Sequence, residues 1–357
     1  MNTKNTKTAV IILLVIANLF FIWNIFNLKI KSENIPSEMI DDAVNILGNH
    51  GFVLDKSKIP AKKPLNPIYE GVYSQNIFAD IVRNFSGASD EELRESGNIY
   101  GPTGIYFTAG DYRFIFSDSV DDYFKIKIIE KSYAEFLKDF SVLKPDTKKT
   151  ELEEETERQI ELLAKNGLTG VSDGAVNKAE KIIRNFIRKY QNQDVRLGFE
   201  IIGFGSGFGF EFEEDKSNQK NHKNHVENIA NIGNIENIER VLINQTVDKL
   251  PIDSHIAYIE IQDGKVKYFS GEWYFGEFVA KRSNPLLDSV NILFKCMEID
   301  GAIIQDSDRL DKMDLEYTVM HHATENDTEK FYFIPSWRIL FDSGKKLSYN
   351  MITGDKN

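Results

Sequence analysis

Period-two alternation of apolar and polar residues marks the end of the chain as a β-hairpin. Apolar side chains occupy every second position on both sides of a glycine-containing turn at residues 342–345, a pattern typical of two antiparallel strands. The same alternation surrounds Asp263-Gly264, a dipeptide that favours a tight hairpin turn. Strand-like sequence also flanks Ala109-Gly110-Asp111. The pattern therefore predicts antiparallel strands in several parts of the chain.

Helical periodicity precedes many of these strand-like runs. Apolar residues recur at helical spacing in IPSEMIDDAVNILG, SQNIFADIVRNF, NKAEKIIRNFIRKY and NPLLDSVNILFKCMEI. Ser172 is the predicted N-cap of the third helix. Asn284 is the predicted N-cap of the fourth, with Pro285 at its first position.

Two of these helices share a short sequence. The pentapeptides IVRNF at residues 81–85 and IIRNF at residues 182–186 both precede sequence rich in aromatic residues and glycine. This similarity suggests that one helix-and-meander unit occurs twice, which would give two similar lobes. The order of helix and then antiparallel strands predicts an α+β fold built from helix-plus-antiparallel-meander modules.

The start of the chain has a different pattern. The run from Thr8 to Leu28 contains no charged residue, and at about 1.5 Å per residue it would span roughly 32 Å as a helix. The sequence therefore predicts an N-terminal transmembrane helix that anchors the α+β part. The alternative is a signal peptide cleaved after Ala17, which would leave an apolar core of about eight residues, short for such a peptide. Lysines on both sides leave the orientation open.

Polar side chains within this run are candidates for contact with another protein. A side-chain amide in hydrocarbon is costly unless it finds a hydrogen-bond partner, which is either a neighbouring helix or its own backbone. The candidate partner-binding residues are Asn18, Phe21, Trp23, Asn24 and Asn27.

Composition shifts divide the rest of the chain. The charged, helix-prone stretch at residues 148–170 predicts a connecting helix with a solvated face. It separates a first lobe, residues 33–147, from a second lobe, residues 171–357. Within the second lobe, the Asn-rich insertion at residues 216–240 predicts a long loop.

The glycines of GFEIIGFGSGFGFEFEE predict a strand and not a phosphate-binding loop. Starting from Gly203 or Gly205, the sixth position of a G-x-G-x-x-G motif is Phe208 or Phe210, and no Walker lysine follows. Alternating glycines in a strand favour positions where another backbone or a bulky side chain comes close.

Charge and residue chemistry argue against several functions. The net charge of -12, from 55 acidic and 43 basic residues, is unfavourable for nucleic-acid binding. The single cysteine, Cys296, lies in an apolar helical pattern and is interpreted as a buried core residue. The adjacent His321 and His322 would point to opposite faces of a strand. We therefore expect no enzyme activity, no cofactor and no metal site.

Residues 7–72 carry a resemblance to a known family. KTAVIILLVIANLFFIWNIFNLK, IPSEMIDDAVNILGNHGFVLD and KIPAKKPLNPIYEG together resemble the start of the YycI branch of the YycH/YycI proteins. The resemblance implies a cytoplasmic tail at residues 1–7, an anchor at residues 8–28 and an extracytoplasmic domain. It also implies a single-pass protein of a Gram-positive cell membrane. Its implied function is to regulate a cell-wall two-component system by binding the sensor histidine kinase WalK (YycG) and a YycH-like sister protein.

The last module is similar to a second type of protein domain. Residues 284–357 resemble a PepSY-type module, because Pro335, Trp337, Thr353 and Gly354 lie where its closing strands begin and end. This resemblance implies an alternative function, an anchored inhibitor or modulator of an extracellular peptidase. The Asn-rich insertion departs from both patterns.

Overall fold

The computed structural model describes most of the chain after residue 32. The described ranges are 33–73, 76–95, 99–101, 104–116, 125–133, 151–188, 196–207, 238–274, 278–281, 286–301, 308–322 and 329–357. The apolar run at residues 8–28 lies outside these ranges, and so does the Asn-rich insertion up to residue 237.

The described part of the chain contains helices and strands in alternating groups. The helices are α1 (Ser37–Gly48), α2 (Asn76–Ser86), α3 (Asp90–Glu95), α4 (Glu151–Asn166), α5 (Asp173–Ile187) and α6 (Ser289–Asp300). The first strands are β1 (Ile68–Tyr73), β2 (Ile99–Gly101), β3 (Gly104–Ala109), β4 (Tyr112–Phe116), β5 (Lys125–Glu130) and β6 (Leu197–Gly207). The remaining strands are β7 (Ile238–Val247), β8 (Leu250–Gln262), β9 (Lys265–Glu272), β10 (Phe278–Lys281), β11 (Leu310–His322), β12 (Glu329–Phe341) and β13 (Lys346–Asn350).

The predicted fold class is wrong. We predicted an N-terminal transmembrane helix followed by helix-and-meander modules, whereas the described fold is mostly a large mixed β-sheet. None of the helices within the described ranges is both long and apolar enough to cross a membrane.

The two helices that suggested a repeated lobe lie together in one unit. α2 and α5 both pack on the same core, and the rings of Phe85 and Phe186 are 5.4 Å apart. The shared pentapeptide therefore places similar apolar faces side by side on one sheet and does not mark two lobes.

Contacts divide the chain into two compact units. The first unit contains Met1–Tyr69, Ala280–Met320 and Tyr332–Asn357, and the second contains Glu70–Val279 and His321–Phe331. The predicted lobes were sequential, whereas each unit is assembled from separate segments of the chain.

The second unit contains an antiparallel sheet with helices on both faces. Its strand order is β6-β7-β8-β9-β5-β4-β3-β2, and each neighbouring pair is antiparallel. Helices α2, α3 and α5 pack on one face through a core that includes Ile81, Ile183 and Phe269. Helix α4 packs on the other face through Leu163. Its charged residues with described side chains, Glu157, Arg158, Glu161 and Lys165, are exposed, as the interpretation of a solvated face predicted.

Two local predictions for this unit are confirmed. Strands β8 and β9 form a hairpin whose turn residues Asp263 and Gly264 have φ angles of 53° and 73°. These left-handed conformations are the ones that an Asp-Gly turn favours. Ser172 caps α5, because its hydroxyl accepts a hydrogen bond from the Ala175 N–H at 3.3 Å.

The interpretation of the alternating glycines is also confirmed. A Cβ atom on Gly203 would lie 2.7 Å from the Leu163 carbonyl oxygen of α4, and one on Gly205 would lie 3.0 Å from Leu163 Cδ2. The glycines of β6 therefore let α4 approach the sheet closely.

The first unit packs helices α1 and α6 against β11, β12 and β13. β12 and β13 form the predicted hairpin, with Trp337 opposite Tyr349 and Ile339 opposite Leu347. These side chains are buried in one core with Leu293, and Phe294 packs against it. The closing hairpin therefore packs on this helix.

Helix α6 begins later than we predicted. Its N-cap is Asp288, whose carboxylate accepts a hydrogen bond from the Asn291 N–H at 3.0 Å. The Asp288 cap therefore sets the start at Ser289, and not Asn284 with Pro285. Cys296 is fully buried on this helix, as predicted, and burial raises the pKa of its thiol to about 11.

The close approach at Gly203 gives a test of the second unit. Gly203→Ala should lower the free energy of unfolding by about 1–3 kcal/mol, because the added methyl group overlaps backbone atoms that cannot rotate away. Urea unfolding of the full chain measures this change.

The matched control is Gly174→Ala in α5, where an added Cβ meets nothing within 4 Å. This control should keep or raise stability, since alanine favours helix by up to about 1 kcal/mol. Equal stability of the two variants would contradict the close packing of α4.

Candidate functional site

The candidate partner-binding residues of the N-terminal run all lie outside the described residues. Asn18, Phe21, Trp23, Asn24 and Asn27 therefore stay a prediction. His321 is the residue before the last of β11, and its side chain is exposed. Across the described ranges, no group of three or more His, Cys, Asp or Glu residues is arranged to hold a metal ion.

A buried carboxylate in the second unit is surrounded by two tyrosines and an arginine, which are residue types that also occur in active sites. Glu260 on β8 is 0% exposed. Its Oε1 accepts a hydrogen bond from the Tyr258 hydroxyl at 2.7 Å, and its Oε2 accepts one from the Tyr133 hydroxyl. Arg240 Nε lies 3.7 Å from Oε1. This group lies on the face of the sheet that helix α4 covers. Tyr133 and Tyr258 belong to the same core as Leu163 of α4.

Burial dominates the electrostatics of this cluster. Burial raises the pKa of the Glu260 carboxyl, although the two tyrosine hydrogen bonds and the Arg240 charge act in the opposite direction. Burial and then the charge of Glu260 raise the pKa of both tyrosines. The tyrosines therefore stay protonated and act as donors to Glu260.

The Glu260 cluster cannot meet a substrate in this conformation. Tyr258 is 0% exposed and Tyr133 is 7% exposed. A general acid must lie within hydrogen-bond reach of the group that it protonates. The cluster therefore acts as a polar contact between the sheet and the residues that cover it.

A second group of charges lies on the sheet of the first unit, on the face opposite α1 and α6. Arg338 Nη2 lies 3.1 Å from Asp314 Oδ2, and Arg338 Nη1 lies 3.9 Å from Glu316 Oε2. Lys312 Nζ contacts Asp314 at 2.7 Å, and Lys346 Nζ lies 3.5 Å from Glu316. We call this group the charged face; its residues are Lys312, Asp314, Glu316, Arg338 and Lys346.

The charged face is buried at its centre and exposed at its rim. The Glu316 side chain is 1% exposed and also accepts a hydrogen bond from Ser348 Oγ at 2.7 Å. The side chains of Lys312 and Lys346 are 59% and 40% exposed. The rim lysines are therefore open to solvent, whereas the central carboxylate is enclosed by its ion pairs and its serine hydrogen bond.

A shallow cleft of about 410 Å³ adjoins this face. Lys58 on its wall lies 3.8 Å from Asp311. The residues that line it are Ser57, Lys58, Pro60, Asp311, Lys312, Met313 and Asp314. Its mixed charges suit contact with polar protein segments.

Sequence reasoning missed both groups of charges. The period of two along DLEYTVMHH places Asp314, Glu316 and Thr318 on one face of β11, so part of the charged face was visible in the pattern. For Glu260, the signal was one acid inside the apolar run IAYIEI, two residues after a tyrosine on the same face.

The buried acid gives a test based on pH. Folding raises the Glu260 pKa, so the stability associated with its protonated form is present below the ordinary value of 4.5 and is lost as pH rises through the folded value. Gln cannot ionise, so Glu260→Gln should become more stable relative to wild type as pH rises from about 4.5 to about 8. Urea unfolding at both pH values measures this difference.

The control for this experiment is Glu200→Gln, an exposed acid on β6. Its stability relative to wild type should be nearly independent of pH. If Glu260→Gln shows the same flat response, then burial does not control the ionisation of Glu260.

Comparison with known proteins leaves the family open. No protein-family model and no curated protein matches this chain. Among solved structures, the chain is similar to an uncharacterized protein from Eubacterium rectale, with 10% identity and a TM-score of 0.37. That match covers 82% of this chain and 86% of the other. At this level the similarity carries no functional argument.

Proposed function

We propose that this chain is a non-enzymatic regulatory protein of a two-component system at the cell membrane of a Gram-positive bacterium. It binds a sensor histidine kinase of the WalK type and a YycH-like sister protein, and it thereby changes kinase output. The proposal places residues 1–7 in the cytoplasm and the bulk of the chain outside the cell. It rests on the resemblance of residues 7–72 to the YycI branch.

The charged face of the first unit is the structural observation that supports a binding role. Its ion pairs are fixed on three neighbouring strands, and lysines lie at its rim. Rim charges increase the rate of association and select partners more than they add to affinity. A regulator that must find one kinase in a membrane depends on that selectivity.

Co-purification from membranes tests the proposal. A tagged full-length chain, expressed in its source organism, should enrich a histidine kinase and a YycH-like protein. Asn18→Leu should reduce the recovered kinase by about fivefold, because a lost hydrogen bond costs about 1 kcal/mol.

Asn5→Leu is the matched control, since it makes the same change outside the apolar run. Its kinase recovery should equal that of wild type. The proposal is wrong if neither protein is enriched, or if both substitutions leave recovery unchanged.

The alternative proposal is a PepSY-type modulator of an extracellular peptidase. Its supporting observation is the order α6, β11, β12 and β13 in the first unit, with Trp337 buried and its Nε1–H donating to the Leu287 carbonyl at 3.1 Å. The full-length protein in detergent should then inhibit an extracellular peptidase of the source organism. Unchanged peptidase activity at saturating protein would remove this alternative.

A further inference from the structure

The last three residues of the chain lie alongside β13. We call residues 355–357 the strap. The Asn350 N–H donates to the Asp355 carbonyl at 2.8 Å, and the Asn357 N–H donates to the Ser348 carbonyl at 3.0 Å. Tyr349 and Lys356 form the antiparallel bridge between these two bonds. The strap therefore covers the edge of β13 that β12 does not use.

The turn that leads into the strap is built without strap side chains. Asn350 Oδ1 accepts hydrogen bonds from the Ile352 N–H at 2.8 Å and the Thr353 N–H at 3.4 Å. Gly354 has a φ of 79°, and a Cβ there would lie 3.1 Å from Leu287 Cδ1. Asn350 thus holds the turn, and the turn packs against Leu287 and Lys295.

One strap side chain enters an acidic socket. Lys356 Nζ lies 2.7 Å from Asp300 Oδ1, and the Tyr349 hydroxyl donates to Asp300 Oδ2. Asp300 is the last residue of α6 and is 1% exposed. Burial alone would raise the pKa of this carboxyl, but the hydrogen bonds from Lys356 and Tyr349 lower the pKa below its usual range. The socket therefore presents a buried negative charge to a cation.

The next strap side chain enters a hydroxyl socket on the other face. Asn357 Nδ2 donates to Ser336 Oγ at 3.1 Å and to Ser348 Oγ at 3.0 Å. Ser336 is 0% exposed and Ser348 is 8% exposed. The two sockets lie on opposite faces of the sheet because adjacent residues of an extended segment point in opposite directions.

The strap is held by polar contacts alone. Asp355, Lys356 and Asn357 are all exposed, and none of them is apolar. Two backbone–backbone hydrogen bonds, one bond from the Asp355 N–H to Thr353 Oγ1 and three side-chain hydrogen bonds hold a segment whose ordering costs conformational entropy. A strand edge that is covered by polar contacts alone is a ready site for strand addition by another chain.

We propose that the β13 edge and its two sockets form a strand-addition site for an extended segment of a partner protein, which the strap occupies until that segment displaces it. The partner segment carries a lysine or arginine for Asp300, followed by a side-chain amide for Ser336 and Ser348. A cationic segment also matches the net charge of -12. The β13 edge is a different surface from the N-terminal run. The proposal therefore does not depend on which protein supplies the segment.

Peptide binding to the full-length protein tests this site. The probe is a fluorescent peptide of sequence ITGDKN, which repeats residues 352–357, and a second peptide has alanine in place of lysine. The substitution Lys356→Ala loosens the strap. Its matched control is Lys265→Ala in the β8–β9 hairpin, which removes an exposed lysine elsewhere.

Lys356→Ala should bind the ITGDKN peptide about tenfold more tightly than wild type or Lys265→Ala. Loss of a charged hydrogen bond weakens the strap, and this raises the fraction of free edge that the peptide can use. The alanine peptide should bind Lys356→Ala about tenfold more weakly than ITGDKN. Absence of binding to Lys356→Ala, or equal affinity of all three proteins, would overturn the proposal.

Asp300→Asn tests the acidic socket directly. It should bind both peptides equally, because a neutral amide no longer selects the cation. Should this variant lose its wild-type melting transition, Asn357→Ala replaces it and should increase affinity for ITGDKN. Concentration-dependent dimers of Lys356→Ala that exclude the peptide would assign the edge to a second copy of this chain and overturn the partner-segment proposal.

Discussion

The buried carboxylate of Asp300 joins three parts of the first unit. It ends α6, accepts a hydrogen bond from Tyr349 of β13 and pairs with Lys356 of the strap. Removing a carboxylate from water costs several kcal/mol unless close partners compensate it. Helix, strand and a cation therefore have to meet at this one residue, and the strap supplies that cation. The turn at Gly354 and the hydroxyls that receive Asn357 complete the same arrangement.

Glu260 in the second unit shows how different partners give a buried acid a different role. Its two tyrosine donors lie in the core, and the Arg240 Nε is 3.7 Å away, so burial prevails and the carboxyl pKa rises. Asp300 has a close lysine, and its pKa falls. The partners of Glu260 are fixed, whereas the cation of Asp300 comes from an exposed three-residue segment. Of the two, Asp300 is the acid that an incoming chain can reach by displacement.

Local features of the fold were predictable from the sequence, and long-range pairings were not. The Asp263-Gly264 turn, the Ser172 cap and the close approach at Gly203 each follow from the chemistry of a few neighbouring residues. No local sequence pattern predicts that β9 pairs with β5. This pairing joins segments that are about 140 residues apart in the chain, and α2 lies beside α5 in the same unit. The strap was not predicted because its three residues are all polar and show no alternation of apolar and polar positions.

Native-state hydrogen exchange of the full-length protein tests the central claim most directly, because it measures whether the strap leaves β13 without unfolding of the module. The Asn350 amide donates to the strap and not to β12. We expect the Asn350 amide to exchange through a local opening, with a much lower opening free energy than amides of the β12–β13 ladder. If the Asn350 amide exchanges only with global unfolding, the strap is a permanent strand and the account is wrong.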